Sequence, residues 1–249
     1  MTWNAKKGLV SRSFAEWQAV DRDIRTYLSL TARWSERGYQ ELWNQAESEL
    51  SAIFDPDVHH GDEHVGFFSD KVNDLWPNDY EWMLHASVVR DAVSAFEVYL
   101  EKGMDEALHA IGLDLRRKAN RPSPEWKTMV VIHKALGSDV ETDRVKHIRA
   151  LRHMLVHQRG ELRTEKMRDR FAEGPRAYPL VHRETGEPLT LEADFVGDQV
   201  QLELATVEAV LDDLAAVVRE TDTRVWHIAW NADRAELEAI SRTLKPDAD

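Results

Sequence analysis

An all-α fold is expected from three stretches of the chain. From about Asp79 to Ile111, Leu84, Val88, Ala92, Ala95 and Tyr99 follow one another at steps of four, four, three and four. From about Asp143 to His157, Val145, Ile148, Leu151 and Leu155 share one side of a helical wheel. From Glu203 to about Trp230 the same spacing runs through Val207, Val210, Leu211, Leu214 and Val218.

The remaining elements follow in chain order. Ser13-Phe14-Ala15-Glu16 reads as a capping box, opening a helix through Phe14, Trp17, Ile24, Tyr27, Leu28 and Trp34 to about Arg37. Gly38 is expected to interrupt it. A second helix, Tyr39 to Phe54, turns Leu42, Trp43, Ala46 and Leu50 inward, and the two are expected to form an antiparallel hairpin. The tryptophans here lie on the apolar face and are read as core or interface residues rather than base-stacking platforms. Asp55 to Asn78 is expected to be a long connection rich in turn formers. It contains His59-His60-Gly61-Asp62-Glu63-His64, a set of side chains able to hold a transition metal. It lacks the i,i+4 spacing of a helical zinc motif and any cysteine, so a solvated polar loop is the preferred reading, with no metal and no cofactor expected. Residues 1–78 thus form an N-terminal helical extension, a helix pair plus a long loop, and residues 79–249 a second helical domain.

In the second domain Gly103 weakens the middle of its first helix slightly. Arg121-Pro122-Ser123-Pro124 breaks the chain, and a short helix from Glu125 to Leu136 is stopped by Gly137. Beyond Gly160 the segment Glu161 to Phe171 is read as a helical continuation past a kink. Tyr178 to His182, a turn at Glu184-Thr185-Gly186-Glu187, and Leu189 to Leu191 read as a small β-hairpin insert before the last long helix. Val200-Gln201-Leu202 is a further strand or a helix lead-in. Asn231 or Asp233 caps a short terminal helix ending before Pro246.

Composition narrows the function. The 249 residues are 43% hydrophobic, enough for a real core. No run of eighteen apolar residues occurs, so no membrane partner is expected, and the N-terminus lacks a signal-peptide pattern. With no cysteines there is neither a disulfide nor a thiolate nucleophile, and a cytoplasmic location is expected. Walker, dinucleotide, G-x-S-x-G and H-E-x-x-H motifs are all missing. A net charge of −13 opposes general nucleic-acid coating. The charge is unevenly spread, however. Between Arg144 and Arg170, nine Lys or Arg face only Glu161, Glu165 and Asp169, a net of +6, and Leu115-Arg116-Arg117-Lys118 adds a second small cluster. For any single residue an ordinary solvated ion pair is an equal reading; the concentration is the signal.

That basic run contains Leu151-Arg152-His153-Met154-Leu155-Val156-His157-Gln158-Arg159-Gly160. With Ile148 set at zero, Arg152 falls at about 40°, inside the apolar sector, while His153 and His157 share the wet side. A guanidinium leaning into a packing face needs a carboxylate, a phosphate or a second subunit. Glu97, at the edge of its own helix's apolar face, is a candidate partner for Arg152, or else a surface glutamate. A histidine at a helix end can equally be a simple C-terminal dipole partner.

The Arg152-x4-His157 pattern, with His153 after the arginine and Gly160 shortly beyond, resembles the R-x4–6-H signature of the HEPN superfamily. The upstream helix Ala92-Val93-Ser94-Ala95-Phe96-Glu97-Val98-Tyr99-Leu100 and the long downstream helix extend the resemblance over roughly Asp79 to Trp230. It implies a HEPN-like helical bundle and a metal-independent endoribonuclease acting in toxin or antiviral defence. RNA would be the substrate, cleaved at a composite site between two copies of the chain. Arg152 and His157 would be catalytic, with His153 assisting, and an antitoxin or regulatory partner is a further expectation. The alternative is a non-catalytic HEPN-like module for dimerisation or for binding RNA, nucleotide or protein.

Overall fold

Tyr99, Phe96, Leu100 and Met104 are among the largest side chains fully withdrawn from solvent, and all four lie on one helix, α3 (Pro77–Ala110). The structure, a computed structural model, describes residues 10–55, 57–58, 63–115, 123–161 and 200–244, and the backbone of 180–181 and 188–189. Around α3 stand α1 (Arg12–Ile53), α2 (Glu63–Val72), α4 (Trp126–Ala135), α5 (Asp143–His157), α6 (Leu204–Trp230) and α7 (Arg234–Leu244). The architecture is all-α. Helix α3 packs against α1, α4, α5 and α6. Its core partners are Phe14, Trp17 and Leu28 from α1, Ile132 from α4, Ile148 and Leu151 from α5, and Val207, Val210, Leu214 and Val218 from α6. Each such side chain removed from water contributes roughly 1.5–3 kcal/mol before conformational entropy is set against it. Among the described residues no helix is long and apolar enough to cross a membrane.

Three sequence expectations are corrected by the N-terminal third. The helix pair is one helix: α1 runs 42 residues without a break at Gly38. Glycine inside a helix costs only about 1 kcal/mol relative to alanine. The turns beyond it recover more, because Tyr39, Leu42, Trp43 and Ala46 pack with Phe68, Val72 and Trp76 in a second apolar cluster. The expected loop of residues 55–78 also contains a helix, α2, whose Phe68 and Val72 fill that cluster. Of the histidine-rich stretch, His59, His60, Gly61 and Asp62 lie outside the described residues, while Glu63 and His64 open α2. The third correction is the cap. Ser11, not Ser13, caps α1, its hydroxyl oxygen accepting from the Phe14 N–H at 3.0 Å.

That cap is held from two other helices. The Ser11 hydroxyl donates to a carboxylate oxygen of Asp222 on α6, and the Ser11 N–H lies 3.3 Å from both oxygens. Glu106 on α3 accepts from the N–H groups of Arg12 and Ser13 at 3.2 Å and from the Ser13 hydroxyl at 3.1 Å. Two carboxylates thus serve N–H groups that a helix start leaves without intrahelical partners. Trp17 is buried and Trp43 half-buried, whereas Trp34 stands outside the core.

The C-terminal elements follow their expected bounds closely. Asp233 rather than Asn231 caps α7, accepting from the Glu236 N–H at 2.9 Å. Gly137 ends α4 at φ +86°, and a side chain there would start 3.0 Å from Nε of Arg224, which donates to the Leu136 carbonyl at 2.8 Å. Only glycine suits both the backbone and the close approach. Of the hairpin insert, β1 (Leu180–Val181) pairs antiparallel with β2 (Pro188–Leu189), Leu180 opposite Leu189. The rest of that insert, and residues 162–171 of the expected helical continuation, lie outside the described residues. Glu161 itself is bridge backbone, not helix.

A buried histidine gives the fold a pH dependence. His133 on α4 is fully enclosed; its Nε2 donates to the Leu100 carbonyl at 2.9 Å, and its Nδ1 has no hydrogen-bond partner among the described residues. Burial holds its pKa below the ordinary imidazole value, as it does for His147 on α5. The unfolded chain takes up protons below about pH 6.5 that the folded chain refuses. Their contribution is therefore intact above that pH and lost as pH falls, by up to about 1.4 kcal/mol per unit for each histidine. His133→Gln, which keeps a donor for Leu100, is expected to lose less Tm than wild type between pH 7.5 and 5.5. Equal losses would overturn the assignment.

Candidate functional site at the end of helix α5

The Arg152–His157 segment is positioned by contacts at both ends of α5. At the start, Thr142 is the N-cap, its hydroxyl accepting from the Val145 N–H at 3.3 Å. Val145, Ile148, Leu151 and Leu155 are buried, which fixes the rotation of the helix. Arg149 locks it. Its guanidinium lies 3.6 Å from the centre of the Trp126 ring, and its Nε donates to Glu97 at 2.9 Å. The Trp126 indole N–H in turn donates to Glu141 at 2.7 Å.

Glu97 therefore pairs with Arg149, and is neither the partner of Arg152 nor the unpaired surface glutamate that the sequence offers as alternatives. One helical turn separates the two cations, and stacking on Trp126 of α4 holds Arg149 where Glu97 of α3 accepts from it. Arg149, Trp126 and Glu141 were missed by sequence reading. The signal for them was an arginine one turn before the motif and a tryptophan opening the preceding helix.

The far end of α5 is a sharp stop. Gln158 is the C-cap, donating to the Met154 carbonyl at 2.9 Å, and Arg159 and Gly160 take φ of 52° and 77°. The Gly160 N–H returns to the Met154 carbonyl at 3.3 Å, and the left-handed backbone of this turn suits a glycine. The Gly160 carbonyl then accepts from the Val200 N–H at 3.0 Å. The Val200 carbonyl accepts from the Trp82 indole at 2.6 Å, and His85 Nδ1 lies 2.6 Å from the Leu202 carbonyl. The turn following His157 is thereby tied through residues 200–202 to α3.

Between these anchors the three candidate residues divide by exposure. His153 and His157 are exposed, their rings 4.5 Å apart with planes at 47°. Arg152 is partly buried, and its Nε is withdrawn from solvent without a hydrogen-bond partner among the described residues. Three other cations of the basic run behave differently. Arg144 is paired with Asp213 at 2.5 Å, Lys146 with Asp143 at 3.1 Å and Arg149 with Glu97. Much of the local positive charge is thus neutralised within the fold. Among the described residues Arg152 has no carboxylate in ion-pair range. Arg163, Lys166, Arg168 and Arg170 lie outside the described residues, as do Arg116 to Lys118.

Among the described residues the α5 side chains line none of the larger clefts. A cleft of about 1070 Å³ does exist, between the start of α1 and the end of α3, but its described lining (Glu16, Lys102, Glu106, His109 and Trp230 among others) includes no residue of α5. Among the described residues no three His, Asp or Glu side chains gather as a metal site. What α5 offers is two solvent-facing imidazoles able to exchange protons and a neighbouring guanidinium with donor capacity to spare. No protein-family model, curated protein or solved structure matches the chain.

Proposed function

We propose that the chain is a metal-independent endoribonuclease of HEPN type, with a site assembled from the α5 helices of two copies. The observation that carries this reading is the Arg152 guanidinium, partly buried, with Nε lacking a partner among the described residues, beside the exposed His153–His157 pair. A buried donor left unmade costs roughly 1–3 kcal/mol, and a phosphate oxygen would satisfy it.

The chemistry follows from the side chains. The RNA supplies its own nucleophile. His157 accepts the proton of the ribose 2′-OH as that oxygen attacks the adjacent phosphorus. Arg152 holds the non-bridging oxygens as negative charge builds on them. A second imidazole, His157 of the other copy, returns a proton to the departing 5′-oxygen. The products are a 2′,3′-cyclic phosphate and a 5′-hydroxyl. His153 orients His157 or contacts phosphate. Two copies are needed because five residues of one helix set Arg152 and His157 about 140° apart around its axis. A role in toxin or antiviral defence and an antitoxin or regulatory partner rest on the family resemblance alone, and a cytoplasmic setting on the cysteine-free composition.

A second reading has its own support. The net charge of −13 and the neutralisation of Arg144, Lys146 and Arg149 favour a non-catalytic dimerisation or binding module. Incubating the purified protein with total RNA and tRNA in EDTA separates the two. Fragments ending in 2′,3′-cyclic phosphate are expected. Intact RNA with the protein confirmed dimeric through α5 would overturn the nuclease reading in favour of the module.

A further inference from the structure

Helix α1 carries an apolar stripe that the core does not use. Val20 is 44% exposed, Tyr27 50%, Leu30 39% and Trp34 65%. With Asp23 and Arg37 they occupy positions 20, 23, 27, 30, 34 and 37, alternating steps of three and four. That is the spacing of a two-helix seam. The four apolar members span about 21 Å of helix. Isolated exposed hydrophobics are ordinary on a protein surface, whereas a contiguous stripe with this period marks a contact.

We propose that this stripe is a two-fold interface with α1 of a second copy, the helices antiparallel. Reversing the seam on itself brings Tyr27 of each copy against Leu30 of the other, giving two apolar central layers. It sets Asp23 opposite Trp34 and Val20 opposite Arg37. Asp23 and Arg37 of opposite copies then occupy adjacent layers and form an ion pair, twice by symmetry. Both side chains are exposed, and neither has an ion-pair partner among the described residues. The same register places Trp34 one layer from Val20. Val20 and Ile24 line a groove of about 400 Å³ between α1 and α3, walled on the α3 side by Ala95 and Val98. A protruding indole on one copy and an apolar groove on the other recur at both ends of the seam. This self-complementarity, in shape and in charge, selects a second copy over an unrelated partner. The interface uses α1, so it is separate from the α5 pairing proposed for catalysis and stands whether or not the chain cleaves RNA.

Charge reversal tests it. Sedimentation equilibrium should be run on the full chain for wild type, Asp23→Arg, Arg37→Asp, the double variant and Trp34→Ala. Each single reversal replaces two attractions by two repulsions and is expected to weaken association about ten-fold. The particle mass is then halved where wild type is still paired. The double variant restores the pair in reversed sense and is expected to return to near wild-type association; Trp34→Ala is expected to weaken it. All three positions lie on an exposed helix face, so folding is retained, which circular dichroism checks. Unchanged mass in the single reversals, or a double variant no better than the singles, would overturn the proposal. So would a wild-type monomer at about 100 μM, where even a small interface shows itself; the stripe would then belong to a different partner.

Discussion

Arg152→Ala and His157→Ala are each expected to lower RNA cleavage by about 10²–10⁴-fold while leaving the thermal melt close to wild type. The magnitude for His157 is that of losing a positioned general acid–base, and for Arg152 that of losing a preorganised donor to a developing charge. The stability side separates these residues from structural ones. His157 is exposed, and surface substitutions away from special features fall within about 0.5 kcal/mol. Arg152 has a withdrawn Nε without a partner among the described residues, so its removal leaves no carboxylate stranded and relieves a buried unsatisfied donor. Arg149 is the control. Its loss breaks the Glu97 ion pair and the stacking on Trp126, so Arg149→Ala is expected to lower Tm while activity per folded molecule falls far less. If Arg152→Ala instead destabilised as strongly as Arg149→Ala and cleaved normally, Arg152 would be a scaffold residue. Product analysis is the readout, with each variant's Tm and mass measured alongside.

How far the sequence reached is best seen by comparing neighbouring residues. The bounds of α5 could be read because the spacing of Val145, Ile148, Leu151 and Leu155 carries from Asp143 to His157, whereas at Gly160, expected to be a kink before a helical continuation, the helix has already ended. The rotation of the helix was equally readable, so Arg152 falls at the edge of the buried face and His153 and His157 in solvent. What could not be read was the choice of Glu97 between Arg149 and Arg152. That depends on Trp126, whose ring supports one guanidinium and is brought there by α4, a helix that carries neither partner of the ion pair. Gly38 shows the same limit from the other side. A local breaker is overridden when α2 packs on the turns beyond it, and α2 itself is ten residues long, too short for periodicity to distinguish it from a loop. Long-range backbone ties are the least visible. The link from Trp82 through Val200 to Gly160 joins three segments by carbonyls and N–H groups that carry no sequence signature beyond the indole.

The largest loss of stability is expected from Asp222→Ala. Asp222 lies on α6, 3% exposed, and holds the start of α1 through the Ser11 hydroxyl and N–H. Removing it strands the buried Ser11 N–H and leaves the Ser11 hydroxyl, among the described residues, only Ser13 as an acceptor at 2.8 Å. It loses hydrogen bonds to a charged group worth about 1.5–3 kcal/mol each, and frees the Ser11 side chain from the geometry in which it caps Phe14. A net loss of roughly 3 kcal/mol follows, and for a chain of this size that lowers Tm by about 6–12 °C. Asp222→Asn should behave otherwise. Burial pushes the Asp222 carboxyl above its ordinary pKa, against the lowering effect of the Ser11 bonds, so the folded state holds its proton more readily than the unfolded chain does. The buried charge is therefore a burden at neutral pH that lifts as pH falls towards the folded value. An amide removes that burden at every pH and keeps one acceptor oxygen for Ser11. The asparagine variant is thus expected within about 1 kcal/mol of wild type at pH 7. The gap between the Asn and Ala variants measures the hydrogen bonds; the gap between Asn and wild type measures the charge. An alanine variant as stable as the asparagine one would show that α1 is held by its apolar contacts with α3 alone, with Phe14 and Trp17 against Tyr99 sufficient to seat the helix.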